Sequence, residues 1–317
     1  MKKFVLCAFI IVLLCVTANV FASGREDQGG SSRQRIAVSL PPANNSWQAK
    51  MREVIDEAVK LHPDYTWVVR NAVDDNDQLN QLTTFLNDRY DAMIILPGNG
   101  TLLTPICERI FDSGCKTVIL DRGIESSKYT AEVKGDNYGG GVNAARVLGQ
   151  KLGGRGNVVV LRSYIGIPID VERYEGFMHT VAREYPNIRV IAEADGEFNR
   201  EAGQRAMNSI LPAHPQIDAV YAQDDETALC ALAQIDNANR RDIRFITGFG
   251  GTRDTYRRFE ENDPIYIASM SYFPGQGADA VEMAVRILKG GTFPKDTVLP
   301  SQVVDSRNVR DFIPYSY

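Results

Sequence analysis

The chain has 317 residues and a formal charge of −5, with 44% apolar and 24% charged residues. At roughly 150 residues per domain, that length gives about two ordinary globular domains once a leader is set aside. The mildly acidic balance offers nothing to phosphate backbones and argues against nucleic acid as a partner.

Residues 1–22 read as a signal peptide. Lys2 and Lys3 form a basic start, Phe4 to Val16 is an almost unbroken apolar run, and Val20-Phe21-Ala22 precedes a cut ahead of Ser23. The apolar run is short for a membrane span, so an uncleaved anchor helix is the weaker alternative. A lipoprotein anchored through Cys15 is a second alternative, against which the bulky Leu14 before it counts. Residues 23–34, rich in Gly, Ser and charge, read as a flexible tether.

From Ile36 onward, short β-rich runs alternate with amphipathic helical stretches. The predicted strands are Ile36–Leu40, Thr66–Arg70, Ala92–Leu96, Lys116–Leu120, Asn157–Leu161, Arg189–Ala192, Ala219–Ala222 and Arg244–Thr247. Runs such as Met93-Ile94-Ile95-Leu96 suit strands covered on both faces of a parallel sheet. Leu79, Leu82, Phe85 and Leu86 recur at helical spacing, as do Ile106, Ile110 and Phe111, and a further helix fits Ala278 to Leu288. Pro63, Pro97, Pro168 and Pro186 punctuate the joins. This alternation predicts an α/β fold of doubly wound type. There are too many units for one sheet and the pattern restarts between Gly139 and Asn157, so two similar parallel-sheet lobes joined by a hinge are expected.

Ligands of open α/β sheets bind beyond the carboxyl ends of the strands. The residues there are Asn44, Asn45, Ser46, Trp47 and Gln48, then Asp121 and Arg122, then Gln223, Asp224 and Asp225, then Gly248-Phe249-Gly250-Gly251. Arg173 falls near the start of the helix after the Asn157 strand, and Phe198 follows the Arg189 strand. Asn, Asp, Gln and Arg present paired hydrogen-bonding atoms that match adjacent hydroxyls, and Trp47 and Phe198 offer flat faces for the C–H side of a sugar ring. Each has a plainer alternative. Asn44, Asn45 and Asp224 would serve as helix caps, Asp121-Arg122 as a surface ion pair, and Trp47 as core. Their shared place after strands is the more informative fact.

Catalysis has little support. His62, His179 and His214 lack metal-ligand spacing, and His62-Pro63 and His214-Pro215 read as helix ends. There is no Gly-x-Ser-x-Gly elbow and no Walker loop, and Arg253 breaks a dinucleotide fingerprint at Gly248–Gly251. No catalytic residue, metal or cofactor is expected. Cys107, Cys115 and Cys230 remain after the leader. They read as buried thiols, with a Cys107–Cys115 disulfide as the alternative.

Several short motifs in order resemble the type 1 periplasmic binding proteins of sugar ABC transporters, of the ribose- and galactofuranose-binding branch. They are Ile119–Arg122 (Ile-Leu-Asp-Arg), Gly135–Asn137, Glu172–Phe177 (Glu-Arg-Tyr-Glu-Gly-Phe), Ala222–Glu226 (Ala-Gln-Asp-Asp-Glu) and Gly248–Thr252. The resemblance covers Ile36 to about Asp305. It implies ligand contacts from Asn45, Trp47, Gln48, Asp121, Arg122, Arg173, Phe198, Asp224, Gly250 and Ser271, and makes the ligand Arg173's expected partner. Four of these depart from the pattern: Gly250 stands where ribose binders carry an Asp, Gln48 replaces an aromatic, Ser271 falls where a Gln is common, and Asp224 falls where an Asn is usual. A pentose other than ribose, a hexose or a polyol is therefore expected.

The resemblance also implies lobes of residues 35–135 plus 272–300 and 136–271 plus 301–317, closing about hinge strands near Gly135 and Ser271. Its expected partners are a monosaccharide or polyol and a membrane permease, for a monomer in the periplasm. A sensory protein serving a chemoreceptor or histidine kinase is the alternative. An enzyme fits less well for want of a catalytic constellation, and a repressor with a DNA-binding head because no helix-turn-helix pattern precedes Ile36.

Overall fold

The structure, a computed structural model, describes residues 33–317. The signal peptide, Cys7, Cys15 and nearly all of the tether lie outside the described residues. Residues Gln34–Tyr317 form one compact unit.

The chain begins with three strand–helix units: β1 (Arg35–Leu40) and α1 (Ser46–Lys60), β2 (Thr66–Asn71) and α2 (Asp75–Asp88), β3 (Ala92–Ile95) and α3 (Gly100–Asp112). Strands β4 (Lys116–Leu120) and β5 (Ala131–Gly135) follow. Beyond Gly135 come α4 (Asn137–Lys151), β6 (Arg155–Arg162), α5 (Pro168–Glu184), β7 (Asn187–Asp195) and α6 (Arg200–Ala213). Next are β8 (Ala219–Ala222), α7 (Asp225–Asn237), β9 (Phe245–Gly250), α8 (Arg253–Glu260) and β10 (Tyr266–Ser271). The chain then returns through α9 (Gln276–Leu288) and β11 (Asp296–Leu299), and ends with β12 (Val303–Val304), α10 (Val309–Phe312) and a 3-10 turn at Ile313–Tyr315.

Two six-stranded sheets result, ordered β11-β5-β4-β3-β1-β2 and β12-β10-β9-β8-β6-β7. All pairings are parallel except that of β12 with β10. The strand order repeats from one sheet to the other, so this is the expected pair of α/β lobes. The chain passes between the sheets three times: after Gly135, after Ser271, and between Leu299 and Val303.

Both faces of each sheet are covered, which is why the central strands are apolar throughout. In the first sheet Ile36, Val38 and Ile94 pack under α1 and α9 through Met51, Ile55, Ala280 and Ala284. On its other face Ala37, Met93 and Ile119 meet α2 and α3 through Leu82, Phe85 and Ile106. In the second sheet α6, α7 and α8 cover one face through Met207, Ala231 and Phe259, and α4 and α5 cover the other through Ala145, Leu148 and Phe177. Burying each large side chain contributes about 1.5–3 kcal/mol.

Four strands carry no clear signal in the sequence: β5, β10, β11 and β12. Glu132 and Lys134 interrupt β5, and Ser269 and Ser271 interrupt β10. The serines are buried because each has a partner, Ser269 donating to Asp225 (2.6 Å) and Ser271 accepting from the Gln302 N–H (2.9 Å). The strand expected over Arg244–Thr247 runs on to Gly250, so Gly248–Gly250 is strand and not turn. Cys107, Cys115 and Cys230 are buried free thiols, and burial pushes Cys107 and Cys115 up to about 12. The disulfide alternative is therefore not realised. Among the described residues no helix is long and apolar enough to cross a membrane, and no cluster of His, Cys, Asp and Glu would hold a metal ion.

Candidate functional site

The carboxyl ends of the strands of both sheets face a common, half-enclosed cleft lined by residues of both lobes. Asn45, Trp47, Asp121 and Arg122 line it from the first lobe, and Arg173, Phe198, Asp224 and Gly250 from the second. Eight of the ten residues expected at the site are thus brought together.

Asn45 is the N-cap of α1. Its Oδ1 accepts from the Gln48 N–H at 2.9 Å, while its Nδ2 has no protein partner among the described residues. Capping and lining the cleft are both its work. Trp47, the second residue of α1, packs against the cores of both lobes and donates from Nε1 to the Tyr272 carbonyl at 3.0 Å.

Asp121, the first residue past β4, takes a left-handed backbone (φ 68°) that turns its side chain beneath the cleft, where it is 3% exposed. Short polar side chains tolerate this conformation better than most. Its Oδ1 accepts from Tyr272 Oη (2.5 Å) and Gln276 Nε2 (3.2 Å). Among the described residues its Oδ2 accepts no hydrogen bond, and Arg122 Nε lies 3.8 Å from it. The surface-pair alternative is therefore corrected: Asp121 is buried and Arg122 half-buried. Burial raises the Asp121 pKa, and Arg122 and the Tyr272 hydrogen bond work against that rise.

Arg173 is 3% exposed and its guanidinium lies over Phe249 at 3.8 Å and Tyr272 at 4.6 Å. Nε donates to Asn137 Oδ1 (3.0 Å) and Nη1 to the Gln223 carbonyl (2.6 Å). The ligand is therefore not its sole partner, since two of its nitrogens already have protein partners. Nη2 has none among the described residues. The protein contacts hold the fork in one orientation, which lowers the entropy lost when it binds anything else.

Asp224 caps α7, accepting from the Thr227 N–H (2.8 Å) and hydroxyl (2.5 Å). Burial pushes it up to about 6; the Thr227 bonds oppose this and the neighbouring Asp225 adds to it. Phe198 follows Glu197 in a pair of left-handed residues (φ 53° and 50°), an uncommon conformation for non-glycine residues. Its ring meets Tyr164 edge-on at 5.8 Å and lies 6.0 Å from the Arg122 guanidinium.

The remaining two expected residues lie elsewhere. Gln48 reaches back to the Asn44 N–H (2.8 Å) and lines an adjoining groove that shares Asn45, Arg122 and Phe198 with the cleft, and Ser271 holds the crossing segment through Gln302 and Ser301. Conversely, the cleft contains Ile169, Tyr272 and Tyr317, which lie in none of the sequence motifs, and Glu226, Phe249 and Thr252, which lie within motifs but were not expected as ligand contacts. Tyr272 could have been found by extending the strand-end rule to β10, had that strand been visible.

Two further contacts join the lobes around this cleft. Ser46 Oγ donates to Glu226 Oε1 at 3.1 Å, and Lys134 Nζ lies 3.0 Å from Glu172 Oε1. The arrangement provides a half-enclosed space with aromatic walls, unpaired hydrogen-bond donors and carboxylate oxygens.

A family model described as "Periplasmic binding protein domain" matches residues 36–292. A ribose import binding protein of Haemophilus influenzae is 30% identical, over 88% of this chain and 94% of its own length. A xylitol-binding protein of Mycolicibacterium smegmatis is 27% identical, over 91% and 82% respectively. Among solved structures, the fructose-binding periplasmic domain of a hybrid two-component system superposes with a TM-score of 0.81 at 29% identity, covering 88% of this chain and 92% of that one.

Proposed function

The chain belongs to the periplasmic binding protein domain family, and from that membership we propose that it captures a monosaccharide or polyol between its lobes and delivers it to the membrane permease of an ABC transporter. It is a binding protein and not an enzyme. One observation carries the reading: Asn45 Nδ2, Asp121 Oδ2 and Arg173 Nη2, each on a buried or half-buried side chain without a full set of protein partners, border one cleft beside Trp47 and Phe198.

A neutral polyhydroxylated ligand meets these requirements. Vicinal hydroxyls donate to Asp121 and Asp224 and accept from Arg173 and Asn45, while ring C–H faces cover the aromatic walls. Hydrogen bonds to charged groups contribute about 1.5–3 kcal/mol each, so a few offset the cost of association, which is about 4–15 kcal/mol. Closure removes water from the ligand and stabilises the closed form by population shift. On this reading the protein is exported through its leader and acts as a monomer in the periplasm.

The test is a thermal-shift screen with D-ribose, D-fructose, D-allose, L-arabinose, D-galactose, xylitol and myo-inositol. Binding to the native state raises the melting temperature. At least one probe is expected to raise it by several degrees at millimolar concentration; a flat response to all seven would overturn the proposal.

A sensory role is the second reading, favoured by the likeness to a binding domain of a two-component system. Uptake of the bound probe by cells lacking the gene separates the two, since only the transport reading requires uptake to fall.

A further inference from the structure

Building on the sugar or polyol reading of the cleft, we propose that Tyr317 is a ligand-contacting, specificity-determining residue that fills the place where the family resemblance would put a carboxylate from position 250. Tyr317 lines the cleft together with Asn45, Asp121, Arg173 and Asp224. A Cβ added at Gly250 would fall 2.6 Å from the Tyr317 hydroxyl oxygen, so the phenol occupies the volume that a side chain at 250 would need. The backbone of Gly250 agrees, because its φ of +146° disfavours any side chain there.

The segment bearing Tyr317 is held in place. The Tyr317 N–H donates to the Gly251 carbonyl (3.3 Å), and the Arg253 N–H donates to the Tyr317 carbonyl (2.9 Å). Phe312 and Tyr315 pack on Phe273 with ring centroids 6.0 and 5.5 Å apart. The Tyr317 hydroxyl, in contrast, makes no hydrogen bond to protein among the described residues. A hydroxyl carried into a half-enclosed cleft on an anchored segment, with no partner of its own, is placed for a ligand.

The exchange changes what the cleft selects. A carboxylate only accepts hydrogen bonds, whereas a neutral phenol donates one and accepts others. Burial beside Asp225 pushes the Tyr317 phenol well above its ordinary value, so it stays neutral and keeps its proton. Ligands that place a ring oxygen or a hydroxyl against Tyr317 are favoured, and the ring narrows the space above Gly250 against bulky substituents.

Calorimetric titration of the seven probes into the wild type, Arg173→Ala, Tyr317→Phe and Tyr317→Ala tests this. The tightest probe is expected to bind Y317F about tenfold more weakly, and Y317A should also lose discrimination among the probes. The ligand-free melting temperature of Y317F should equal that of the wild type, because ring packing is kept. If R173A loses binding while Y317F stays within twofold of wild type for every probe, the Tyr317 assignment falls and the cleft reading stands. A drop of several degrees in ligand-free Y317F would give the hydroxyl a structural partner and likewise overturn the assignment. A wild type that binds no probe overturns both.

Discussion

The two lobes both send carboxylates to the cleft, but they satisfy them differently. In the first lobe Asp121 directs one oxygen at Tyr272 and Gln276 and leaves the other near Arg122 alone. In the second lobe two adjacent aspartates divide the roles. Asp225 is 1% exposed and accepts from Tyr266 Oη (2.7 Å), Ser269 Oγ (2.6 Å) and the N–H groups of Gly251 (2.8 Å) and Thr252 (3.0 Å). Both line the cleft, but among the described residues Asp224 accepts only from Thr227. A carboxylate offers about four acceptor sites. Where all four are filled, as in Asp225, the residue ties strands to a helix; where some stay open, it is available to a ligand.

The strongest test of this division is Asp225→Ala. It strands two hydroxyls and two N–H groups in a dry core, and each unsatisfied buried group costs about 1–3 kcal/mol. After relaxation a loss of about 4 kcal/mol is expected, read as a large fall in the denaturant midpoint or loss of soluble protein. A near-neutral result would erase the contrast between the two aspartates.

Arg173→Ala comes next. It should weaken ligand binding about a hundredfold, equivalent to about 2.7 kcal/mol, by removing the charge-assisted bond from Nη2. Because Asn137 and the Gln223 carbonyl also lose a donor, a smaller loss of stability, about 1–2 kcal/mol, is expected with it. Unchanged affinity would remove Arg173 from the site.

The smallest effect sharpens the comparison through pH. The Asp224 pKa is raised by burial to about 6 from 3.8, so the folded state binds this proton more tightly than the unfolded chain. Its contribution to stability is therefore fully present below about pH 4 and is lost as pH rises through 6. A shift of that size corresponds to about 3 kcal/mol at most, and water at the cleft face reduces it to about 1–2 kcal/mol. Asp224→Asn keeps the helix cap and should flatten the ligand-free stability profile between pH 4 and 6, measured by denaturant unfolding. An unaltered profile would place the titration elsewhere.

Much of the fold was legible in the sequence, because strands covered on both faces need compact apolar runs such as Val158–Leu161. The strands that were not legible carry polar residues whose partners come from far along the chain: Ser269 needs Asp225, and Lys134 needs Glu172. The site followed a similar rule. Asp121 and Asp224 could be read because each sits just beyond a visible strand, and Arg173 because it lies in the second turn of the helix that follows one. Tyr272 follows a strand with no clear signal, and Tyr317 lies in a segment with no strand to point to it. Gln48 and Ser271 show the opposite limit, since the right residue types at the right distance turned to backbone partners.

Trp47 gives the most direct test of the central claim, that the lobes close on a small polyhydroxylated ligand. It touches both lobe cores and borders the cleft, and Trp67 is the only other tryptophan. In a Trp67→Phe background, titration with the tightest of the seven probes should produce a saturable change in Trp47 emission at the concentration where calorimetry detects binding. Calorimetric binding with no change in that emission would contradict the claim.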